Sequence, residues 1–285
     1  MAALVETHRR ARRACCDDRG GTRGNGEEAR PNGRSPKSVL GKAGLILSAF
    51  GDGDLSLSLT ELTARTGVAK ATVHRLCQDL IACELLERDG SHYRLGLLLY
   101  AIGLRAPRQR TLRHATRPLL ENLAQALDSP VSLSVPNGSD LLCIDNADRH
   151  RNRAGATVGG RLLQLHSTAP GKLTLALLPD QYPLARPAPR MRRMTARTLT
   201  ADRLPEELLR IQEQDYATDF EEHRLGYSAV AVPVRGPHDG AYLGALSVVA
   251  ATARHNLPRT LTALRTASEA VTTRLAVIEA YRAEP

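Results

Sequence analysis

Lys70, Ala71, His74, Arg75 and Gln78 fall on one side of a helix at three- to four-residue spacing. Cationic and amide side chains arranged in this way can reach base edges in the major groove of a duplex. The opposite side carries Val73, Leu76, Cys77 and Leu80, which must pack inward. Thr72, with Arg88, Ser91 and His92 further on, could fix phosphates. Two other groups invite a chemical reading: His166-Ser167-Thr168 and Glu221-Glu222. Catalysis needs an exposed nucleophile and a base oriented by a third group. The chain contains no Gly-x-Ser-x-Gly elbow, phosphate-binding loop or metal-ligand spacing. His166 is therefore expected to tie down its loop by a hydrogen bond, and Glu222 to cap or pair. No catalytic residue, metal or cofactor is expected.

The elements that must position the first group can be read in order. Ser58-Leu59-Thr60-Glu61 is a capping box, so a helix starts near Leu59. Thr66-Gly67-Val68 ends it, and a second helix begins near Ala69. Two short strand-like runs follow, Leu85 to Arg88 and His92 to Leu95, joined through Asp89-Gly90. Helix, turn, helix and hairpin in this order describe a winged helix-turn-helix, with a first helix from about Val39 to Phe50 completing it.

Composition bounds the rest. With 285 residues and 42% hydrophobic content, the chain can build about two domains. Aromatic residues make up 3% and Trp is absent, so base stacking on single strands is poorly supplied and duplex reading fits better. The formal net charge of +9 suits a polyanion. It is concentrated outside the winged segment: in the N-terminal tail, in the run Arg105, Arg108, Arg110, Arg113, Arg117, and between Arg186 and Arg203. The second cluster could add phosphate contacts or form a solvated helix face. The five cysteines (Cys15, Cys16, Cys77, Cys83, Cys143) lack metal spacing and read as reduced thiols. No secretory signal or membrane-length apolar run is present, and the expected location is the cytoplasm.

Four segments follow from this reading. Residues 1–37 form a disordered basic tail, 38–95 the winged helix-turn-helix domain, 96–117 a linker helix region, and 118–285 an α+β domain. In the linker region one helix spans Leu97 to Ile102 and a longer one Thr111 to Leu127, with a break at Pro107. Beyond it, strands are expected at Val131 to Val135, Leu141 to Asp145, Ala229 to Arg235 and Leu243 to Ala250. The first two flank Asn137-Gly138. Helices are expected at Gly171 to Leu178, Pro205 to Gln214 and Leu257 to Ala280. The Arg- and Pro-rich stretch from Tyr182 to Arg197 fits no element.

Three segments resemble the IclR family of bacterial transcriptional regulators. Leu59-Thr60-Glu61-Leu62 through Ala69-Lys70-Ala71-Thr72-Val73-His74-Arg75-Leu76 to Tyr93-Arg94-Leu95-Gly96 is similar to its winged domain. Gly159-Gly160-Arg161 to Leu165-His166-Ser167-Thr168-Ala169-Pro170-Gly171-Lys172 is similar to its Leu-Pro-Leu-His-x-Thr-Ala-x-Gly-Lys motif. The third runs from Asp215-Tyr216-Ala217 and Asp219-Phe220-Glu221-Glu222 to Gly226-Tyr227 and Val232-Pro233-Val234. The resemblance implies a GAF-like C-terminal domain that binds a small organic effector, an organic acid or aromatic catabolite, and a homodimer or tetramer on a near-palindromic duplex operator. Carried over by motif, the effector contacts fall on Leu163, Ala169, Pro170, Asp219, Tyr227, Ala229, Ser247 and Val249. Backbone N–H groups at Ala169 to Gly171 could then meet a carboxylate, and Ser247 could donate a hydrogen bond.

The chain departs from the family pattern. Gln164 stands where the motif has Pro, with one residue added before it, while Ala229 stands where Cys is common and Val249 where a second Ser can sit. The last two remove polar handles, so a more apolar pocket for a larger or less charged ligand is expected. The competing reading is a small-molecule sensor or enzyme whose N-terminal helices dock another protein.

Overall fold

The computed structural model describes residues 38–51, 53–138, 140–150, 159–182 and 191–283. The expected tail and residues 183–190 of the Arg- and Pro-rich stretch lie outside the described residues.

In the N-terminal unit α1 spans Val39–Leu47, β1 Leu57–Ser58, α2 Leu59–Thr66, α3 Lys70–Ala82, β2 Leu86–Asp89 and β3 His92–Leu95. The helix expected to reach Phe50 stops at Leu47, and the Gly51 N–H beyond it is taken by the Asp54 carboxylate at 2.8 Å. The α2 capping box is formed in full. Ser58 Oγ accepts from Glu61 N at 3.2 Å and Glu61 Oε2 accepts from Ser58 N at 2.8 Å. Replacing Ser58 by Ala is expected to destabilise this unit by about 0.5–2 kcal/mol. A denaturant midpoint unchanged from the parent would refute that.

Among the described residues the three strands pair in the order β1-β3-β2. Strand β1 was not anticipated, because two residues are too few to show alternation. The wing turn also sits one residue later than expected. Asp89 pairs with His92 inside the ladder, and the loop is Gly90-Ser91, with Gly90 at φ +60. A glycine at the first loop position is what a two-residue turn of this kind requires. The core is closed by Ile46, Leu57, Leu62, Val73, Leu76, Cys77, Leu80, Leu86 and Tyr93. The stripe read on α3 is therefore its packed face.

Helix α4 (Leu97–Gly103) has no buried residue. Helix α5 runs from Pro107 to Leu127, four residues earlier than expected, because proline is well suited to the first helical turn, where its missing N–H has no partner to lose. Pro118 lies on the exposed face, where water can serve the carbonyl it leaves without a helical donor. The helix runs without a break through position 117. Its buried face, including Leu112, Ala115, Leu120 and Leu123, belongs to the C-terminal core.

That core is built on β4 (Val131–Asn137), β5 (Asp140–Ala147), β6 (Leu162–Leu163), β7 (Ala217–Phe220), β8 (Tyr227–Arg235) and β9 (Tyr242–Ala251). Among the described residues they form one antiparallel sheet in the order β6-β5-β4-β9-β8-β7. Its edge strands β6 and β7 escaped the sequence reading, being too short to show a period. Helices α5 and α8 (Leu257–Ala283) cover one face over Val230, Val232, Leu246 and Val248. Helix α6 (Ala169–Leu177) covers the other over Ala229, Ala231 and Ala245, and α7 (Leu204–Gln214) packs on α6. Gly171 permits the approach of α6 to its own lead-in: a Cβ there would stand 2.4 Å from the carbonyl oxygens of Gln164 and Leu165.

Candidate functional site

On α3, Lys70, Ala71, His74, Arg75 and Gln78 are exposed, and Thr72 is half-buried at the border between the faces. Arg75 Nη1 lies 3.6 Å from Asp79 Oδ2 with both side chains more than half exposed. Such a solvated pair contributes little, so the guanidinium can exchange it for a nucleic-acid acceptor at small cost. On the wing, the Arg88 guanidinium lies 5.3 Å from the Tyr93 ring centroid and its Nε donates to Gly90 O at 3.3 Å. Ser91 Oγ and His92 Nδ1 are 3.1 Å apart. Strand β3 packs Tyr93 into the same core as the buried face of α3, so the helix and the wing belong to one packed unit.

The basic run after the wing divides. Arg113 Nε and Arg117 Nη1 hold the two oxygens of Asp145 at 3.2 and 2.8 Å, and that carboxylate is buried. Arg117 also pairs with Glu121 at 2.7 Å. These two arginines are paired with β5 of the C-terminal sheet, so neither a run of phosphate contacts nor a solvated helix face describes all five. Arg105, Arg108 and Arg110 stay exposed.

In the C-terminal unit Asp219, Tyr227, Ala229, Ser247 and Val249 alternate along β7, β8 and β9 on the face under α6. Asp219 pairs with Ala229, Ala229 with Val249, and Ala231 with Ser247. Ala169 and Pro170, both buried, open α6 above this face, and Ala169 shares a cluster with Ala229, Ala231 and Ala245. Leu163 stands apart on β6, at the other edge of the sheet. The loops beyond the two edges do meet, because Ser167 Oγ contacts His223 Nδ1 at 3.2 Å.

Local chemistry at the start of α6 differs from the expectation. Pro170 has no N–H, and that of Gly171 is donated to Thr168 Oγ1, the helix N-cap, at 3.1 Å. Two of the three residues expected to cradle a carboxylate therefore offer it no donor. Ser247 Oγ, expected to serve the effector, lies 2.9 Å from Ser132 Oγ on the neighbouring strand.

The polar groups nearby form a buried network. Lys172, fully buried on α6, places Nζ 2.5 Å from Glu222 Oε1 and 3.5 Å from Glu207 Oε1. Glu222 follows β7 in a loop whose carbonyls accept from Thr195 and Thr198 hydroxyls at 2.6 and 2.7 Å. Asp219 Oδ1 accepts from the backbone N–H groups of Glu222 and His223 at 2.7 and 3.2 Å. Burial nonetheless pushes Asp219 up to about 7. Burial pulls His223 down to about 4, aided by the charges of Arg161, His166 and Arg224. As expected, His166 ties its loop down, its Nε2 meeting the Arg192 carbonyl at 2.8 Å, and Glu222 pairs. Spacing gave no hint that Glu222 pairs with Lys172. Ser132 and Ser134 on β4 were also missed. Their signal was the alternation Val131-Ser132-Leu133-Ser134-Val135, polar on every second residue of an apolar strand.

Among the described residues there is no group of three or more metal-ligating side chains, and no helix is long and apolar enough to cross a membrane. An apolar groove of about 250 Å³ lies between α6 and α7, lined by Leu175, Tyr182, Pro205 and Leu208, and includes none of the expected effector residues.

Residues 39–90 match the family described as the IclR helix-turn-helix domain, and residues 105–273 match the bacterial transcriptional regulator IclR C-terminal family. The Pca operon regulatory protein of Acinetobacter baylyi is 30% identical over 232 residues, covering 75% of this chain and 79% of that protein. The HTH-type transcriptional regulator KdgR of Escherichia coli is 30% identical over 204 residues, covering 70% and 77%. The crystal structure of an IclR homolog from Microbacterium hydrocarbonoxydans, complexed with 4-hydroxybenzoate, superposes with a TM-score of 0.73 at 22% identity. It covers 84% of this chain and 100% of that one.

Proposed function

The chain belongs to the IclR family of bacterial transcriptional regulators, and we propose that Lys70, Ala71, Thr72, His74, Arg75 and Gln78 read its operator while Arg88, Ser91 and His92 hold the flanking phosphates. The protein is a regulator with a DNA-binding N-terminal domain and an effector-binding C-terminal domain. The observation that carries the assignment of DNA contacts is the exposed Lys70, His74 and Arg75 on α3, a helix that packs directly on strand β2 of the wing. Its operator is a near-palindrome bound by a dimer or tetramer, because two recognition helices on two half-sites multiply the contacts of one. Helix α4 supports self-association: Leu97, Tyr100 and Ile102 are each more than half exposed on a short apolar helix. A helix apolar on all sides is ordinarily covered.

The effector lies against the sheet face under α6, bounded by Ala169, Pro170, Asp219, Tyr227, Ala229, Ser247 and Val249, with Leu163 at the far edge. A protein of the same fold holds 4-hydroxybenzoate, which supports a small organic molecule as the ligand class. The relatives are named as regulators, and the chain works without catalysis, metal or cofactor, in the cytoplasm where its operator is.

The test is fluorescence anisotropy against the duplex immediately upstream of the gene, with nonspecific competitor, at low and physiological salt. Specific binding should weaken steeply with salt. Replacing Arg75 by Ala should cost about 1–3 kcal/mol, confined to one operator position if the side chain reads a base. An Arg75→Ala protein that binds every sequence as the parent does would remove this residue from the interface.

A further inference from the structure

Ser134 is fully buried on β4, and its hydroxyl has no hydrogen-bond partner among the described residues. Its direction follows from the register. Ser134 stands opposite Ala245 on β9 and Cys143 on β5, and Ala245 belongs to the cluster under α6. Its neighbour Leu133 pairs with Leu246 and faces α5 and α8 instead. The Ser134 hydroxyl is thus aimed into the face that carries Ala229 and Ser247. One pleat repeat away, about 7 Å along the strand, the Ser132 and Ser247 hydroxyls touch each other. An orphaned buried hydroxyl is costly, and a native fold keeps one mainly where something else completes it.

The same face is poor in positive charge. The Lys172 ammonium is already held by Glu222 and Glu207. Two of the three residues at the start of α6 give no N–H to a ligand. Arg224 is exposed and stacked over Tyr227 at 4.7 Å. A carboxylate here would be buried beside Asp219 where the buried cation, Lys172, is already paired with two carboxylates, which is unfavourable. Serine hydroxyls donate and accept alike, and satisfy a neutral hydroxyl fully.

We propose that the Ser132, Ser134 and Ser247 hydroxyls form the polar end of a site under α6 for a neutral, hydroxyl-bearing organic ligand, with Ser134 bonded directly to it. The inference rests on the reading of this face as the effector site.

The experiment uses the full-length protein and two matched pairs of probes, phenol with benzoate and cyclohexanol with cyclohexanecarboxylate, in calorimetry and thermal-shift titrations. The neutral member of each pair should bind at least about 10-fold tighter, since a buried carboxylate lacks a partner. Ser134→Ala should lose about 5- to 10-fold in affinity for the neutral probes, while the melting temperature of the free protein holds or rises because an unsatisfied hydroxyl has gone. Ser134→Cys, close in size with a weaker donor, should show the same loss and covers the case in which the alanine variant fails to fold. Equal or tighter binding of the acids, no binding of any probe, or neutral affinity unchanged in both variants would overturn the proposal. A melting temperature lowered by Ser134→Ala with ligand preference unchanged would mean the hydroxyl serves the fold alone, and would overturn it as well. Ala229→Leu fills the face. Probes that bind the parent should lose binding to this variant, and undiminished binding would place the ligand elsewhere, so that the location of the effector site fails rather than the ligand class.

Discussion

Lys172→Met is expected to destabilise the C-terminal unit by about 3–5 kcal/mol, the range for removing one partner of a buried ion pair. Lys172 is fully buried with its ammonium against Glu222 and Glu207. Removing it leaves Glu222 in the interior with Oε2 already unpartnered. Burial raises the Glu222 carboxyl, and Lys172 is the main influence pulling it back down. Without the lysine that restraint disappears, so the carboxyl takes up a proton and the loss shrinks as the pH is lowered. Adding Glu222→Gln to Lys172→Met should recover part of the loss, because the stranded charge goes with it. Chemical denaturation of the three proteins at pH 7.5 and 5 measures this. A single-variant loss under about 1 kcal/mol, or strict additivity in the double variant, would show that the network contributes little.

Asp219→Asn is expected to stabilise the protein increasingly as the pH rises. The folded-state value of Asp219 is raised from 3.8 to about 7, so the folded protein holds this proton more tightly than the unfolded chain. The resulting stability is complete below the unfolded value and is lost as the pH climbs through about 7. Asparagine keeps the acceptor for the Glu222 and His223 N–H groups and carries no charge. The two proteins should therefore be closest near pH 4, and the variant ahead by on the order of 3 kcal/mol at pH 8. His223 works in the opposite sense. Its value is lowered from 6.5 to about 4, and its contribution is present above 6.5 and lost as the pH falls through about 4. Between those limits the pair offset one another in the parent, and the variant exposes the histidine's slope. A difference between the two stability curves that stays constant from pH 4 to 8 would show that Asp219 is not protonated by burial.

The DNA-reading unit was legible because its signals are local. Ser58 and Glu61 satisfy each other within one helical turn, and the packed stripe Val73, Leu76, Cys77 and Leu80 repeats within thirteen residues of helix. The wing needs only a glycine between two short runs, and the error of one residue in its turn reflects how little sequence distinguishes Asp89-Gly90 from Gly90-Ser91. Helix α6 was likewise legible in its own pattern, Gly171 to Leu178, which begins two residues inside it. Strands β1, β6 and β7 were missed for the complementary reason: two to four residues hold too little period to separate a strand from a loop.

Sequence by itself therefore determined the order of the longer elements and the wing, the outward chemistry of α3 and the family. Tertiary structure alone decided which charges remain available. Arg113 and Arg117, indistinguishable by spacing from Arg105, Arg108 and Arg110, are bound to Asp145 about thirty residues away. Lys172 is likewise committed to Glu222, fifty residues on. At the start of α6 the fold, not the local sequence, assigns the Gly171 N–H to Thr168 Oγ1. Ser134, one serine among many, acquires its meaning because antiparallel register turns it to the same face as Ala245, over a hundred residues away. Periodicity records which face of an element is buried, whereas pairing and burial between distant segments depend on how those faces meet in space.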